Sequence, residues 1–210
     1  MRPYERDPAA IYAASFATVR AEANVDRFPP DVAELAIRVI HACGMIEIAD
    51  RLAYDPEVVA SATAALRAGA PVYADCEMVA SGITRRLLPE TTEIRCTLND
   101  PRTPDLAGEI GTTRSAASVD LWDLAGAVIA IGNAPTALFR LLERLDEGAP
   151  RPAAILAFPV GFVGAAESKA ELAGNPRSTP FVTLRGRRGG SAMASAAVNA
   201  LGILAAGGMQ

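Results

Sequence analysis

His41 is the one histidine in 210 residues, and histidine is the side chain whose ordinary pKa, about 6.5, lets it exchange protons near neutrality. It closes the segment Asp31-Val-Ala-Glu-Leu-Ala-Ile-Arg-Val-Ile-His-Ala-Cys43. On a 3.6-residue period Val32, Leu35, Ala36, Val39, Ile40 and Cys43 make one apolar stripe, while Glu34, Arg38 and His41 share the opposite side. Two readings stand: a proton donor and acceptor, or a solvated histidine beside an ordinary i,i+4 ion pair of Glu34 with Arg38. Ser15 lies between Ile11 and Val19, one turn to either side, and is either a hydroxyl bonded to its own backbone or a ligand contact. Arg102 and Arg114 bracket a helix that starts near Pro104, and Arg185, Arg187 and Arg188 cluster in one glycine-rich loop. Guanidinium forks bind carboxylate or phosphate, so these arginines suit a polyanionic small molecule or simply keep the surface charged.

The totals narrow the classes. A net charge of −4 argues against a nucleic-acid binder. Three cysteines, Cys43, Cys76 and Cys96, are odd in number and form no C-x-x-C pair, so they read as small core hydrophobes in a reducing cytoplasm. With a single histidine, a multi-histidine metal site within one chain is not expected. The segment Met1-Arg-Pro-Tyr-Glu-Arg-Asp7 is charged and unlike a secretory signal. The longest uncharged stretch, residues 189–210, holds too many serines and glycines to span a bilayer, so no membrane partner is expected. It reads as a small-residue helix packed inside the protein or against a second subunit.

Half of the residues are hydrophobic and no linker divides the chain, so one domain over residues 1–210 is expected. Helical patterns cover residues 8–23, 31–43 and 56–68, with Asp31 and Glu34 as a capping-box-like pair and Gly44 as a stop. Short β-branched runs follow at residues 71–75, 93–98, 127–132, 153–158 and 181–184, and helical patterns separate them. The expected fold is a three-layer α/β/α domain with a mainly parallel five-stranded sheet and an N-terminal helical segment. Ligands of such sheets bind at the post-strand loops, here Asp75–Glu77, residues 132–136, 159–168 and 185–193. None of these loops carries a dinucleotide or P-loop fingerprint, so a nucleotide-dependent enzyme rests on fold analogy alone.

Seven segments taken in order resemble the precorrin isomerase family, the precorrin-8X methylmutases. They are Ser15-Phe-Ala-Thr-Val-Arg-Ala-Glu22, Val39-Ile-His-Ala-Cys-Gly44, Asp100-Pro-Arg-Thr-Pro104, Thr113-Arg-Ser-Ala-Ala117, Gly132-Asn-Ala-Pro-Thr-Ala-Leu138, Pro159-Val-Gly-Phe-Val-Gly-Ala-Ala-Glu-Ser-Lys169 and Gly189-Gly-Ser-Ala-Met193. The match should lapse in the first few residues and after Leu204. The resemblance implies a methyl migration from C-11 to C-12 of a tetrapyrrole, converting precorrin-8X to hydrogenobyrinic acid without metal or external cofactor. It makes His41 the proton donor and acceptor, and Ser15 and Arg38 contacts of the tetrapyrrole. Arg114, Asn133, Gly161 and Gly164 are then expected to bind the peripheral carboxylates, through guanidinium and backbone N–H groups. It further implies a homodimer whose pocket both subunits complete. A corrinoid carrier without turnover, and an isomerase of the cobalt-containing macrocycle, are the competing readings.

Overall fold

Successive side chains of a strand face opposite ways, so a run that is apolar at every position needs cover on both faces. The chain supplies it by alternating strands with helices. The computed structural model describes Arg2 and residues 4–208; Met1, Pro3, Met209 and Gln210, at the ends of the charged lead and of the uncharged tail, lie outside the described residues. In chain order the elements are α1 (Pro8–Glu22), α2 (Pro30–Cys43), β1 (Leu52–Tyr54), α3 (Val58–Arg67), β2 (Val72–Ala74), α4 (Glu77–Gly82), β3 (Ile94–Arg95) and α5 (Thr103–Glu109). Then follow α6 (Arg114–Ala117), β4 (Val128–Ile131), α7 (Pro135–Asp146), β5 (Ala154–Ala157), α8 (Ala165–Gly174), β6 (Phe181–Leu184) and α9 (Ser191–Ala205).

The sheet order is β1-β6-β5-β4-β2-β3, parallel throughout except for β1, which runs antiparallel to β6 with Leu52 opposite Leu184. Six strands therefore replace the expected five. The missed one, β1, is a three-residue edge strand with Ala53 and Tyr54 only half-buried, too short to show a period. From β2 the chain steps outward to β3, then returns past β2 to β4, β5 and β6. The winding thus reverses between β2 and β4, where open α/β sheets form a crevice at their carboxyl ends.

Alternation along β4 assigns the two faces. Ile129 and Ile131 pack with Leu138, Leu141 and Leu142 of α7 and Leu172 of α8. Val128 and Ala130 pack with the opposite layer, built from α2, α3, α4 and α9. Within that layer the uncharged α9 is central and mostly buried, which settles its place as inside the protein. Its small residues permit close approach: a Cβ on Gly202 would sit 2.5 Å from the Leu87 carbonyl oxygen. Helix α1 lies outside on α2, with Val19 buried.

Helix ends follow local chemistry, with one correction. Asp7 caps α1 by accepting from the Ala9 N–H, and Gly44 ends α2 at φ 68°, a left-handed position that favours glycine. The Asp31–Glu34 capping box does not form. Helix α2 starts on Pro30, which needs no N–H partner there, and Glu34 turns to another helix instead.

Candidate active site

Helix α1 lies antiparallel on α2, and two polar contacts tie its middle and its C-terminal turn to that helix: Ser15 Oγ lies 2.8 Å from His41 Nδ1, and Arg20 pairs with Glu34 at 2.8 Å. Glu34 is thereby taken by Arg20, so the intrahelical pair with Arg38 is not made. Ser15, half-buried, bonds across to the histidine rather than to its own backbone. The imidazole is exposed and flanked by the rings of Phe16 and Tyr12, at 5.0 and 5.7 Å between centroids. With Nδ1 held by the hydroxyl, Nε2 is the free nitrogen. The hydroxyl can donate to a neutral ring or accept from a protonated one, so the same contact serves both states.

One turn earlier, the guanidinium of Arg38 lies over the Phe16 ring at 5.1 Å. Burial pushes its pKa down, Glu34 pulls it up and Arg20 lowers it again, but a guanidinium stays charged. No ion-pair or hydrogen-bond partner engages this side chain among the described residues. Beside it opens a cavity of about 710 Å³, within the size range of small-molecule sites, about 300–1,000 Å³. Tyr12, Phe16, Leu87 and Ile203 give it apolar walls, and Arg20, Arg38 and Arg86 give it positive charge. Such a lining fits a flat apolar body bearing carboxylates.

The remaining expected residues gather elsewhere, at the carboxyl edge of the sheet. Thr113 donates to Thr136 at 2.8 Å, which sets Arg114 beside the turn that opens α7. The carbonyl of Asn133 accepts from Val160, Gly161 N–H donates to Arg187 and Gly190 N–H to Phe158, so three post-strand loops are laced together. Gly164, at φ 78°, starts α8. Of the expected residues only Arg38 lines the arginine-edged cavity: His41 and Ser15 adjoin it behind the rings of Tyr12 and Phe16, and Arg114, Asn133, Gly161 and Gly164 lie outside it. Arg114 already donates to the Leu98 carbonyl and Asn99 at 2.9 Å, and Arg102 is held by Asp100 at the same distance.

At the crevice itself the chain supplies its own anion. The buried carboxylate of Asp75, at the end of β2, accepts from the N–H groups of Gly132, Asn133 and Ala134 at 2.9, 2.9 and 2.7 Å. Burial holds this carboxyl above the ordinary aspartate range, and the three amides offset that only in part. The Gly132 and Asn133 amides, expected to meet substrate carboxylates, are therefore committed; Asn133 keeps an exposed side chain. The loop after β5 instead presents Phe162 and Val163, 84% and 88% exposed, with Arg187 over the Phe162 ring.

One further titratable group is buried at this edge. Lys169 of α8 is fully buried and donates to the Arg188 carbonyl, and desolvation lowers its pKa to about 8. The three cysteines are free, and burial raises the thiols of Cys43 and Cys96, the latter to about 11. Cys43 and Cys96 therefore remain thiols at neutral pH.

Sequence reasoning missed Arg20, Arg86 and the Tyr12–Phe16 pair as parts of the cavity, and Asp75 as the filler of the crevice. Tyr12, Phe16 and Arg20 stand four apart on α1, a signal that was there to read. Arg86 gave none, since it sits on a 3-10 turn, Arg85–Leu87.

An open, mostly parallel sheet carrying a serine-held imidazole near an arginine-edged cavity defines an α/β domain with a small-molecule site. Comparison with known proteins makes this specific. The family model described as precorrin-8X methylmutase matches residues 10–204, lapsing at the ends where the motifs do. A precorrin-8X methylmutase of Sinorhizobium sp is 60% identical over 94% of this chain and 95% of its own. A cobalt-precorrin-8 methylmutase of Salmonella typhimurium is 39% identical over 94% and 96%. The crystal structure of a precorrin-8X methylmutase from Thermus thermophilus superposes with a TM-score of 0.83 at 35% identity, covering 95% of this chain and all of that one. The chain belongs to the precorrin-8X methylmutase family, and it is an isomerase.

Proposed function

We propose that this chain isomerises metal-free precorrin-8X to hydrogenobyrinic acid, with His41 Nε2 as the proton donor and acceptor. The observation that carries the reading is the Ser15–His41 contact of 2.8 Å beside an apolar cavity edged with arginine. Proton transfer from Nε2 to a ring nitrogen of the macrocycle draws electron density away from the carbon that holds the methyl group. The methyl then moves from C-11 to C-12 within the same molecule, and the proton returns to His41, so nothing is gained or lost. A positioned acid contributes about 10²–10⁴-fold, and the cavity supplies the rest by holding the macrocycle in reactive geometry. The metal-free substrate is favoured by identity: 60% to the relative named for it against 39% to the one named for the cobalt form.

The working unit in this reading is a homodimer. Ser15, Arg38 and His41 form one group on the chain and Arg114, Asn133, Gly161 and Gly164 another, and in a homodimer the second group of one subunit closes over the first group of its partner. The exposed Phe162 and Val163 suit such a contact. No helix among the described residues is long and apolar enough to cross a membrane, and three free cysteines suit a reducing cytoplasm. The test is turnover of precorrin-8X, followed as the corrin chromophore appears. Conversion by wild type, with His41→Asn binding product but not forming it, supports the reading; stoichiometric binding without turnover identifies a carrier instead.

A further inference from the structure

The cavity beside His41 holds three guanidiniums in different states. Arg20 is taken by Glu34 at 2.8 Å. Arg38 and Arg86 have no ion-pair or hydrogen-bond partner among the described residues, although both line apolar space. Arg85, next in the chain, shows the contrast: its guanidinium donates to the Pro89 and Glu90 carbonyls at 2.9 and 2.6 Å and so braces the local turn. Arg86 does no such structural work.

Its placement is nevertheless fixed. The Thr84 N–H donates to Asn199 Oδ1 at 2.8 Å, and Asn199 Nδ2 donates to the Gly82 carbonyl at 3.1 Å, so one side chain of α9 clamps both flanks of the turn. Gly202, one turn further along α9, leaves room for the Leu87 carbonyl, which a Cβ there would meet at 2.5 Å. A mid-helix glycine costs about 1 kcal/mol relative to alanine. Here it lets the turn rest directly on α9, with Arg86 and Leu87 facing the cavity beside Ile203. An exposed, unpaired cation on a braced turn at the rim of an apolar cavity is placed to meet an anion from outside the chain.

We propose that Arg86 is a substrate-binding residue that takes one peripheral carboxylate of the macrocycle while Arg38 takes another. The inference rests on the corrinoid reading of the cavity. Because Arg38 comes from α2 and Arg86 from the turn after α4, the pair fixes the rotation of the ring as well as its affinity. A ligand with carboxylates on separate side chains satisfies both; one with a single acid does not.

The experiment titrates purified protein with hydrogenobyrinic acid, and separately with its methyl ester, by absorbance. A charge-assisted bond is worth about 1.5–3 kcal/mol, so Arg86→Gln should weaken the acid by about 10- to 100-fold, and Arg86→Lys should restore part of the loss. The ester should bind wild type and Arg86→Gln alike. In turnover KM should rise with kcat little changed, which a loss of folding would not produce. Equal affinity of wild type and Arg86→Gln for the acid, or an equal loss for the ester, overturns the role of Arg86. Failure of wild type to bind either corrin overturns the reading of the cavity itself.

Discussion

Ser15 Oγ meets His41 Nδ1 at 2.8 Å across the α1–α2 contact, and this bond decides which ring nitrogen faces a ligand. Without it the ring can turn about its side-chain bonds and offer either nitrogen. Ser15→Ala should lower kcat by about 10- to 100-fold, the range found when an orienting partner is removed from a histidine, with product affinity and Tm little changed. Ser15→Thr keeps the hydroxyl and should keep most of the rate. Steady-state kinetics with a parallel melting curve checks both; a Ser15→Ala enzyme of full activity would remove the serine from the mechanism.

The proposed homodimer, with a site completed by both subunits, makes a quantitative prediction for mixed dimers. His41→Asn and Arg114→Gln should each be nearly inactive alone, but after subunit exchange half the dimers carry one mutation per chain. Each of those has one intact site and one doubly damaged site, so an equal mixture should recover about a quarter of wild-type activity. Recovery near zero would place both residues in a site built by one chain.

Asp75 is tested through stability. Its carboxylate accepts three N–H bonds while buried, and Asp75→Asn replaces one accepting oxygen with an NH₂ that points at amide donors. The cost should be about 2–4 kcal/mol, because buried donors then lack acceptors. A shift of the urea midpoint at unchanged m-value measures it.

Lys169 predicts a dependence on pH. Its folded pKa is lowered from 10.5 to about 8 by burial, so the unfolded chain binds the proton more tightly than the folded one. Stability contributed by this group therefore rises with pH between about 8 and 10.5, by at most about 3 kcal/mol, and is flat below and above. Lys169→Met carries no titrating group. The difference in unfolding free energy between wild type and this variant should follow that slope, and a constant difference would place the lysine charge in water.

Much of the frame was legible because it depends on local period. The stripe from Val32 to Ile40 is buried as read, and runs such as Val128–Ile131 declare a two-faced sheet by having no polar member. What escaped depends on contacts between distant segments. Strand β1 exists because β6 offers an edge to pair with. Glu34 looked like a partner for Arg38, one turn away, until Arg20 arrived from α1. In the candidate site, His41 and Ser15 stood out by residue type and motif, and the structure brings the two side chains together. The use of the Gly132–Ala134 amides was not, since their sequence is the same whether they face a ligand or Asp75.

Helix α9 is synthesised after almost everything it packs against. Its residues Met193, Val198 and Leu201 fill the layer between the sheet and α2, so the apolar faces of α2, α3 and α4 stay open on the ribosome until Ser191–Ala205 has emerged. The arginine-edged cavity, whose Arg86 turn is seated on that helix and whose wall includes Ile203, therefore comes into being only at the last stage of folding, and a nascent chain halted before α9 holds Ser15, Arg38 and His41 without that wall.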